Sequence, residues 1–82
     1  MNLAQNLKKL RLAHGLSQKE FGAIVDVSDK AVSTWEKGTK EPRISTLLVL
    51  AEHFGVDIGV LITGDVSECL EKSTQKEEAS LG

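Results

Sequence analysis

The stretch LSQKEFGAIVDVSDKAVSTWEKG, residues 16–38, decides the fold. Its first half predicts a short helix, because Ser17 followed by Glu20 is an S-x-x-E capping box. In such a box the two residues bond each other's backbone N–H groups, which a helix start otherwise leaves without partners. We expect this helix, the second of the chain, to open at Ser17 and to run to about Val25.

A tight turn and another helix follow. Asp26–Val27 is the predicted turn, and aspartate tolerates the left-handed backbone better than most residues. Ser28 is the next N-cap, and the charge of Asp29 is favourable in the first turn. We expect helix 3 to end near Lys37, because the next residue, Gly38, is the usual C-terminal breaker.

Helix 3 has one apolar and one hydrophilic face. At about 100° per residue, the inward arc contains Ala31, Val32 and Trp35. The outward arc contains Asp29, Lys30, Ser33, Thr34 and Lys37, with Glu36 at the border. When two helices pack so that the second shows a hydrophilic arc to solvent, they form a helix-turn-helix, whose second helix enters the major groove of DNA.

With the helices around it, this stretch resembles the phage-repressor (Cro/repressor-type, XRE-type) helix-turn-helix family. The matching residues are Leu16-Ser17-Gln18, Phe21, Asp26-Val27-Ser28, Val32, Trp35-Glu36, Gly38, Pro42, Leu47, Ala51, Phe54-Gly55-Val56, Leu61 and Thr63-Gly64. The resemblance covers roughly residues 2–64. It implies an all-α, compact five-helix domain over residues 1–64 that binds double-stranded DNA as a homodimer.

Apolar spacing predicts the three remaining helices. Leu3, Leu7 and Leu10 define the buried stripe of helix 1, which ends near Gly15. Helix 4 is expected over Ile44–Phe54, and a short helix 5 from Ile58 to about Ile62, capped by Asp57 and closed by Gly64. The predicted inward face of helix 4 contains Ile44, Leu47, Leu48, Ala51 and Phe54.

The charge is distributed unevenly along the chain. The sequence carries 10 Lys/Arg and 12 Asp/Glu, a formal net charge of −2. Residues 1–64 hold eight basic and seven acidic side chains, and residues 65–82 hold two and five. A weakly basic domain predicts modest non-specific DNA affinity and reliance on a few placed contacts.

The acidic tail, residues 65–82, is predicted to begin with one more short helix capped by Asp65 and to be disordered beyond Ser73. Val66, Cys69 and Leu70 would form a small apolar stripe on that helix. The tail could extend a dimer contact, bind a protein partner, tether another domain or do nothing, and the sequence does not decide among these.

The outward arc of helix 3 supplies the candidates for base contacts. Lys30 is the first of them, because a lysine donates to guanine O6 and N7. Asp29 could accept from a cytosine amino group, or serve only as a first-turn charge. Ser33 and Thr34 could contact bases or backbone, and the Thr34 methyl could meet a thymine methyl.

Candidates for phosphate contacts lie around this arc. Gln18, at the start of helix 2, can offer its amide and nearby backbone N–H groups to a phosphate; the family resemblance implies that it also buttresses helix 3. Lys37 and Lys40 flank helix 3, and Arg43 stands where the family often has a serine or aspartate cap. For each residue singly, a solvated polar face is the alternative.

The resemblance also implies two structural contacts. Arg11, beside the buried stripe of helix 1, commonly pairs in the family with the residue that is Glu36 here, so we expect a partly buried bridge. Repressors of this type often dimerise near helix 5, which makes Ile58, Val60 and Ile62 candidates for a two-fold contact. The alternative is that these three only complete a small core.

We therefore expect a sequence-specific DNA-binding transcriptional regulator, with a repressor favoured. The alternatives are the antitoxin of a toxin–antitoxin pair, whose tail would dock the toxin, and a protein-interaction module that has kept the fold without binding DNA. An enzyme is not expected, because His14 and His53 have no nucleophile partners or metal ligands arranged around them. We accordingly expect no cofactor and no metal.

The remaining composition favours a cytoplasmic protein. The single cysteine, Cys69, cannot form an internal disulfide, which fits a reducing compartment. No apolar run approaches the roughly 18 residues that span a membrane, and the first ten residues lack the long apolar segment of a secretory signal.

Overall fold

The computed structural model describes residues 3–66, which form five helices and no strand. The helices are α1 (Leu3–Ala13), α2 (Gln18–Ile24), α3 (Asp29–Lys37), α4 (Ile44–Phe54) and α5 (Ile58–Thr63). This confirms the all-α, five-helix prediction, with every helix end within about two residues of its expected position. The predicted sixth helix, with Cys69 and Leu70, lies outside the described residues apart from its first positions.

Local side-chain chemistry sets the helix ends. The Ser17 hydroxyl accepts from Glu20 N at 3.0 Å, and the Glu20 carboxylate accepts from Ser17 N at 2.9 Å, so the capping box is complete. Ser28 accepts from the N–H of Ala31 and caps α3. Asp57 caps α5 in the same way, through the N–H of Val60. By contrast, α4 begins after Arg43, whose side chain makes no capping bond.

The turn between α2 and α3 brings their backbones close together. Asp26 adopts a left-handed conformation with φ 60°, which aspartate tolerates better than most residues, as expected for this turn. Beside it, a Cβ on Gly22 would lie 2.5 Å from the carbonyl oxygen of Val27 and 3.2 Å from Cγ2 of Val32. The absence of a side chain at Gly22 therefore allows the turn to fold back on α2.

A single apolar core joins α1, α2, α3, α4 and α5. Its buried members are Leu3, Leu7, Leu10, Phe21, Val32, Trp35, Leu47, Leu50, Ala51, Val56, Leu61 and Val66. Trp35 is buried, as its phase on α3 predicted. The core extends to Val66, the last described residue.

The predicted inward face of α4 was wrong at two positions. Ile44 and Leu48 retain 60% and 51% of their accessible surface, whereas Leu50, which the prediction omitted, is fully buried. The reason is that α4 is apolar around most of its circumference, so apolar spacing alone does not fix which side faces the core. Packing against the neighbouring helices selects the side that carries Leu47, Leu50 and Ala51.

A buried amide joins the first helix to the end of the last. Asn6 keeps only 1% of its accessible surface. Its Nδ2 donates to the carbonyl oxygens of Val60, Leu61 and Gly64, and its Oδ1 accepts from the N–H of Val66. Sequence analysis missed this residue, although Asn6 falls within the arc defined by Leu3, Leu7 and Leu10, and a polar residue in an apolar stripe signals a satisfied internal bond.

Within residues 3–66, no helix combines the length and the apolar character that crossing a bilayer requires.

Candidate nucleic-acid interface

The outward arc of α3 forms the centre of the candidate interface. Asp29, Lys30 and Lys37 are exposed, and Ser33 and Thr34 are half-buried beside them. The opposite side of α3 is anchored in the core by Val32 and Trp35. Five polar side chains from one short helix are thus brought together on one surface, where they can donate and accept hydrogen bonds.

The border of α3 that carries Glu36 is held by an ion pair with α1. Arg11 Nε lies 2.7 Å from Oε2 of Glu36, and Arg11 Nη2 lies 3.0 Å from Oε1. The two side chains retain only 12% and 6% of their accessible surface. Arg11 Nη1 also donates to the carbonyl oxygen of Leu16 at 3.0 Å, so the guanidinium spans α1, the connection after it and α3.

The hydrogen bonds to Glu36 stabilise the charged guanidinium and raise the pKa of Arg11. Burial lowers this pKa, and the electrostatic attraction of the carboxylate raises it further. Arg11 therefore stays charged throughout the range in which proteins fold. It supplies the cation of the ion pair that links α1 to α3.

Gln18 joins the same network from the start of α2. Its Nε2 donates to Oε1 of Glu36 at 3.2 Å, so this side chain supports α3, as the family resemblance implied. An amide nitrogen carries two hydrogens, and this bond uses one of them. Gln18 is half-buried at the first position of α2, next to the backbone N–H groups of that helix end.

The hydroxyl of Thr34 donates a hydrogen bond within its own helix. Oγ1 donates to the carbonyl oxygen of Ala31 at 2.6 Å. The side chain therefore offers a methyl group and an acceptor oxygen outward, but no donor. The carbonyl of Thr34 in turn accepts from the N–H groups of Thr39 and Lys40 and from the Thr39 hydroxyl, which folds the loop after α3 back onto the helix end.

The loop after α3 carries two of the predicted phosphate contacts. Lys40 is exposed and is placed next to the end of α3 by the bond between its N–H and the Thr34 carbonyl. Pro42 is buried, which fixes the course of the loop. Arg43 is exposed at the start of α4, where its side chain makes no capping bond.

An open cleft beside the turn between α2 and α3 brings together charged residues that the sequence prediction did not group. It is lined by Lys19, Ala23, Asp26, Val27, Ser28 and Asp29. Lys19 follows Gln18 in the first turn of α2, and that position could have signalled it as a further cation near the interface. Charges of both signs therefore meet at this end of α3, where Lys19 and Lys30 lie near the two aspartates, whereas Lys37 and Lys40 lie at the other end.

The three candidate dimer residues lie on α5. Ile58, Val60 and Ile62 are each half-buried, and Ile58 and Ile62 pack in part against the core. Ile58 and Ile62 therefore contribute to the core and still expose apolar surface, whereas Val60, two residues from each, lies on the other side of the helix. Within residues 3–66, no three His, Cys, Asp or Glu side chains cluster in a way that could hold a metal ion.

Comparisons with known proteins agree with this geometry. The helix-turn-helix family model (HTH_3) matches residues 7–61. The cryptic phage CTXphi transcriptional repressor RstR of Vibrio cholerae is 29% identical over 73 residues, which cover 89% of this chain and 66% of that protein. The antitoxin PezA of Streptococcus pneumoniae is 33% identical over 54 residues, which cover 66% of this chain and 34% of that protein. The chain thus spans less than two thirds of the length of both curated relatives.

The fold also matches a solved repressor structure. The P22 c2 repressor, in complex with synthetic operator 9T, superposes with a TM-score of 0.71 at 28% identity, and the match covers 77% of this chain and 96% of that one. The family match includes α2, the turn and α3, the elements that carry the polar arc. The chain belongs to the helix-turn-helix family of the phage-repressor (XRE) type.

Proposed function

We propose that this protein is a sequence-specific, double-stranded-DNA-binding transcriptional regulator that acts as a homodimeric repressor. The observation that carries the proposal is the division of α3 between a buried side with Val32 and Trp35 and an outward side with Lys30, Ser33, Thr34 and Lys37. A helix divided in this way can enter a major groove without disturbing the core. RstR and the P22 c2 repressor, whose names describe repressors, support the same function.

In the proposed complex, the α3 side chains divide between two kinds of contact. Lys30 donates to guanine, Asp29 accepts from a cytosine amino group, and Ser33 and Thr34 meet neighbouring base edges. Gln18, Lys37, Lys40 and Arg43 contact phosphates on either side of the groove. These roles are consistent with the exposed positions of the three lysines and the one arginine concerned, and with the placement of Gln18 at a helix N-terminus.

A homodimer would read two half-sites about 34 Å apart, one helical turn of DNA. The exposed parts of Ile58, Val60 and Ile62 on α5 are the proposed two-fold contact. We propose a cytoplasmic location and no enzymatic activity, in keeping with a DNA-binding role. Residues 65–82 are proposed as an acidic tail that follows the DNA-binding domain of residues 1–64, and Val66 at the start of this tail packs into the core of the domain.

The similarity to PezA favours one second candidate, the antitoxin of a toxin–antitoxin pair. In that case the tail would bind the toxin while the domain binds DNA. Co-purification of a small partner with the full chain from its native host distinguishes the antitoxin from a free-standing repressor.

The decisive experiment is selection of binding sites from a pool of randomised duplex DNA, followed by footprinting and by gel shifts at low and high salt. We expect an inverted-repeat site, protection on one face of the duplex, and affinity that falls as salt rises. Glu52→Gln, on the exposed side of α4, is the control variant, since it changes a charge away from the proposed interface. Recovery of no preferred sequence, with no shift of random duplex at low salt, would defeat the proposal.

A further inference from the structure

A small cleft lies between the start of α1 and the loop that follows α3. It has a volume of about 150 Å³, and residues of both segments line it: Leu3, Ala4, Trp35, Lys40, Glu41 and Pro42. A cavity of that size holds a ring or a branched chain of about six carbon atoms. The base-reading candidates of α3 do not line this cleft, so it is a separate feature of the surface.

The apolar part of the cleft has a fixed shape. Leu3, Trp35 and Pro42 are buried, so these side chains are held in place by the core. Ala4 and Gly38 keep the space beside them open, because a Cβ on Gly38 would lie 4.0 Å from that of Ala4. A wall that is formed in advance lowers the cost of binding a small molecule.

The indole N–H of Trp35 has no hydrogen-bond partner within residues 3–66. Trp35 keeps only 7% of its accessible surface, yet every fully buried side-chain nitrogen and oxygen in this part of the chain has a partner. The indole nitrogen is therefore open to solvent, on a residue that lines the cleft. Because buried tryptophans usually satisfy this donor, the free N–H indicates a place for an acceptor.

Two opposite charges border the cleft at consecutive positions. Lys40 and Glu41 are exposed, and neither forms an ion pair with another residue of the described chain. The Lys40 N–H donates to the Thr34 carbonyl and Pro42 is buried, which fixes the course of the loop between them. A simple anion would gain from Lys40 and lose to Glu41, whereas a ligand with one group of each charge gains from both.

We propose that this cleft binds a free α-amino acid with a branched apolar side chain. The ammonium group lies against Glu41, and the carboxylate accepts from the Trp35 N–H beside Lys40. The apolar side chain fills the space between Leu3 and Pro42. The site itself does not depend on the proposed DNA-binding function, since Lys40 is the one lining residue that has a role in both.

The consequence for DNA binding rests on the proposed function. A carboxylate bound at Lys40 competes with a DNA phosphate for the same ammonium group. The bound amino acid therefore weakens DNA binding without entering the polar arc of α3. The protein would leave its DNA site when the amino acid is abundant.

Trp35 is the only tryptophan of the chain, so its fluorescence reports directly on the cleft. L-Leucine is titrated to about 10 mM against the full 82-residue chain, a range that reveals a site of millimolar affinity. We expect a saturable change in fluorescence. 4-Methylpentanoate lacks the ammonium group and 3-methylbutylamine lacks the carboxylate, so each should bind at least about tenfold more weakly than L-leucine.

Two variants test the geometry, and neither changes a proposed DNA contact. Glu41→Gln removes the partner of the ammonium group, so this variant should bind L-leucine and 4-methylpentanoate about equally. Ala4→Leu fills the cleft from α1 and should abolish binding of all three compounds. Alanine and leucine are both strong helix formers, and circular dichroism checks that α1 is kept. If Ala4→Leu fails to fold, Glu41→Gln still tests the site, because Glu41 is an exposed loop residue.

Lys8→Gln is the control, since it removes an exposed cation of α1 that does not line the cleft. This variant should bind L-leucine as the wild type does. A loss of binding in Lys8→Gln as large as that in Glu41→Gln would overturn the assigned role of Glu41.

Gel shifts on the selected duplex, with and without saturating L-leucine, test the effect on DNA binding. We expect L-leucine to weaken binding and to reduce the slope of log affinity against log salt by about 0.9, the share of one phosphate contact. Ala4→Leu should bind DNA with the wild-type affinity and should not respond to L-leucine.

The absence of a saturable fluorescence change with L-leucine overturns the site, whether or not the protein binds DNA. Equal affinity of the wild type for L-leucine and 4-methylpentanoate overturns the amino acid as the class of ligand. Saturable binding with unchanged DNA affinity overturns the competition at Lys40. A protein that binds L-leucine but no duplex instead defeats the proposed function and supports the site.

Discussion

The guanidinium of Arg11 meets the carboxylate of Glu36 through two parallel hydrogen bonds, of 2.7 and 3.0 Å, between α1 and α3. Bidentate pairs of this kind fix orientation as well as distance. Because Gln18 shares the same carboxylate, one oxygen of Glu36 connects three helices. The rotation of α3 about its axis, and with it the direction of the polar arc, is therefore fixed by charged groups as well as by apolar packing.

Replacing Arg11 by alanine should be strongly destabilising. It leaves Glu36 desolvated and without its cation, a situation that typically costs about 3–5 kcal/mol. Lys9→Ala is the control, because its ion pair with Asp65 is about half exposed and an exposed pair contributes about 1 kcal/mol or less. Urea unfolding of both variants provides the comparison. A loss for Arg11→Ala no larger than that for Lys9→Ala would contradict the assigned role of the pair.

Lys30 and Lys37 should affect DNA binding in different ways. Lys30→Ala is expected to change the preferred base at one position of the selected site, by about 1–3 kcal/mol in discrimination. Lys37→Ala is expected to weaken all sequences about equally and to reduce the slope of log affinity against log salt by about 0.9.

Both substitutions are measured by gel shifts on the selected site and on single-base variants of it, at several salt concentrations. The two side chains are on the same exposed arc, so each variant controls for the general loss of one positive charge. Identical effects of both variants on every sequence would refute this division of roles.

Thr34 should read a thymine through its methyl group, since its hydroxyl donates to the Ala31 carbonyl. Removing the thymine methyl, by placing uracil in the contacted position, should weaken wild-type binding by about fourfold, the effect of one buried methyl group. Thr34→Val keeps the methyl and should respond in the same way, whereas Thr34→Ser should be insensitive to the uracil. The opposite pattern, with base preference kept by serine and lost by valine, would identify the hydroxyl as the reading group.

Glu20 makes the capping box sensitive to acid. Hydrogen bonds from the backbone N–H and then the side chain of Ser17 lower the pKa of the Glu20 carboxyl. A lowered pKa in the folded state means that the unfolded chain binds more protons in this range. The stabilisation is therefore complete above the ordinary glutamate pKa and is lost as pH falls through the lower folded-state pKa.

The measurement compares wild type with Glu20→Gln, which keeps an acceptor oxygen but does not titrate. Urea unfolding between about pH 7 and about pH 2.5 covers the carboxyl range. We expect the wild type to be the more stable protein at neutral pH and the difference to vanish in acid. A difference that stays constant over that range would show that the carboxylate charge contributes nothing to the cap.

The helix ends were predictable because their causes are local. Ser17, Ser28 and Asp57 each bond an N–H three residues ahead, and Gly38 and Gly55 adopt the left-handed backbone that ends α3 and α4. Such signals lie within four residues of the structure that they specify. The faces of α3 were equally accessible to prediction, since polar and apolar residues separate cleanly around that helix.

Features that depend on packing between distant segments were harder to predict from the sequence. The side of α4 that faces the core was misjudged at Ile44 and Leu48, because an almost wholly apolar helix has no polar face to exclude. The bonds of Asn6 join residues more than 50 positions apart, and no local pattern shows which carbonyls an internal amide will meet. The bridge from Arg11 to Glu36 was expected only through the family resemblance, for the same reason.

The separation of the two sides of α3 has a consequence for how such a protein can change. Val32 and Trp35 supply the buried contacts of that helix, whereas Lys30, Ser33 and Lys37 supply none of them. Under the proposed roles, substitution of Lys30 or Ser33 would change the preferred DNA site at little cost in folding, whereas substitution of Lys37 would change the affinity for every site. New target sites could then arise on the same scaffold through a few codon changes in α3.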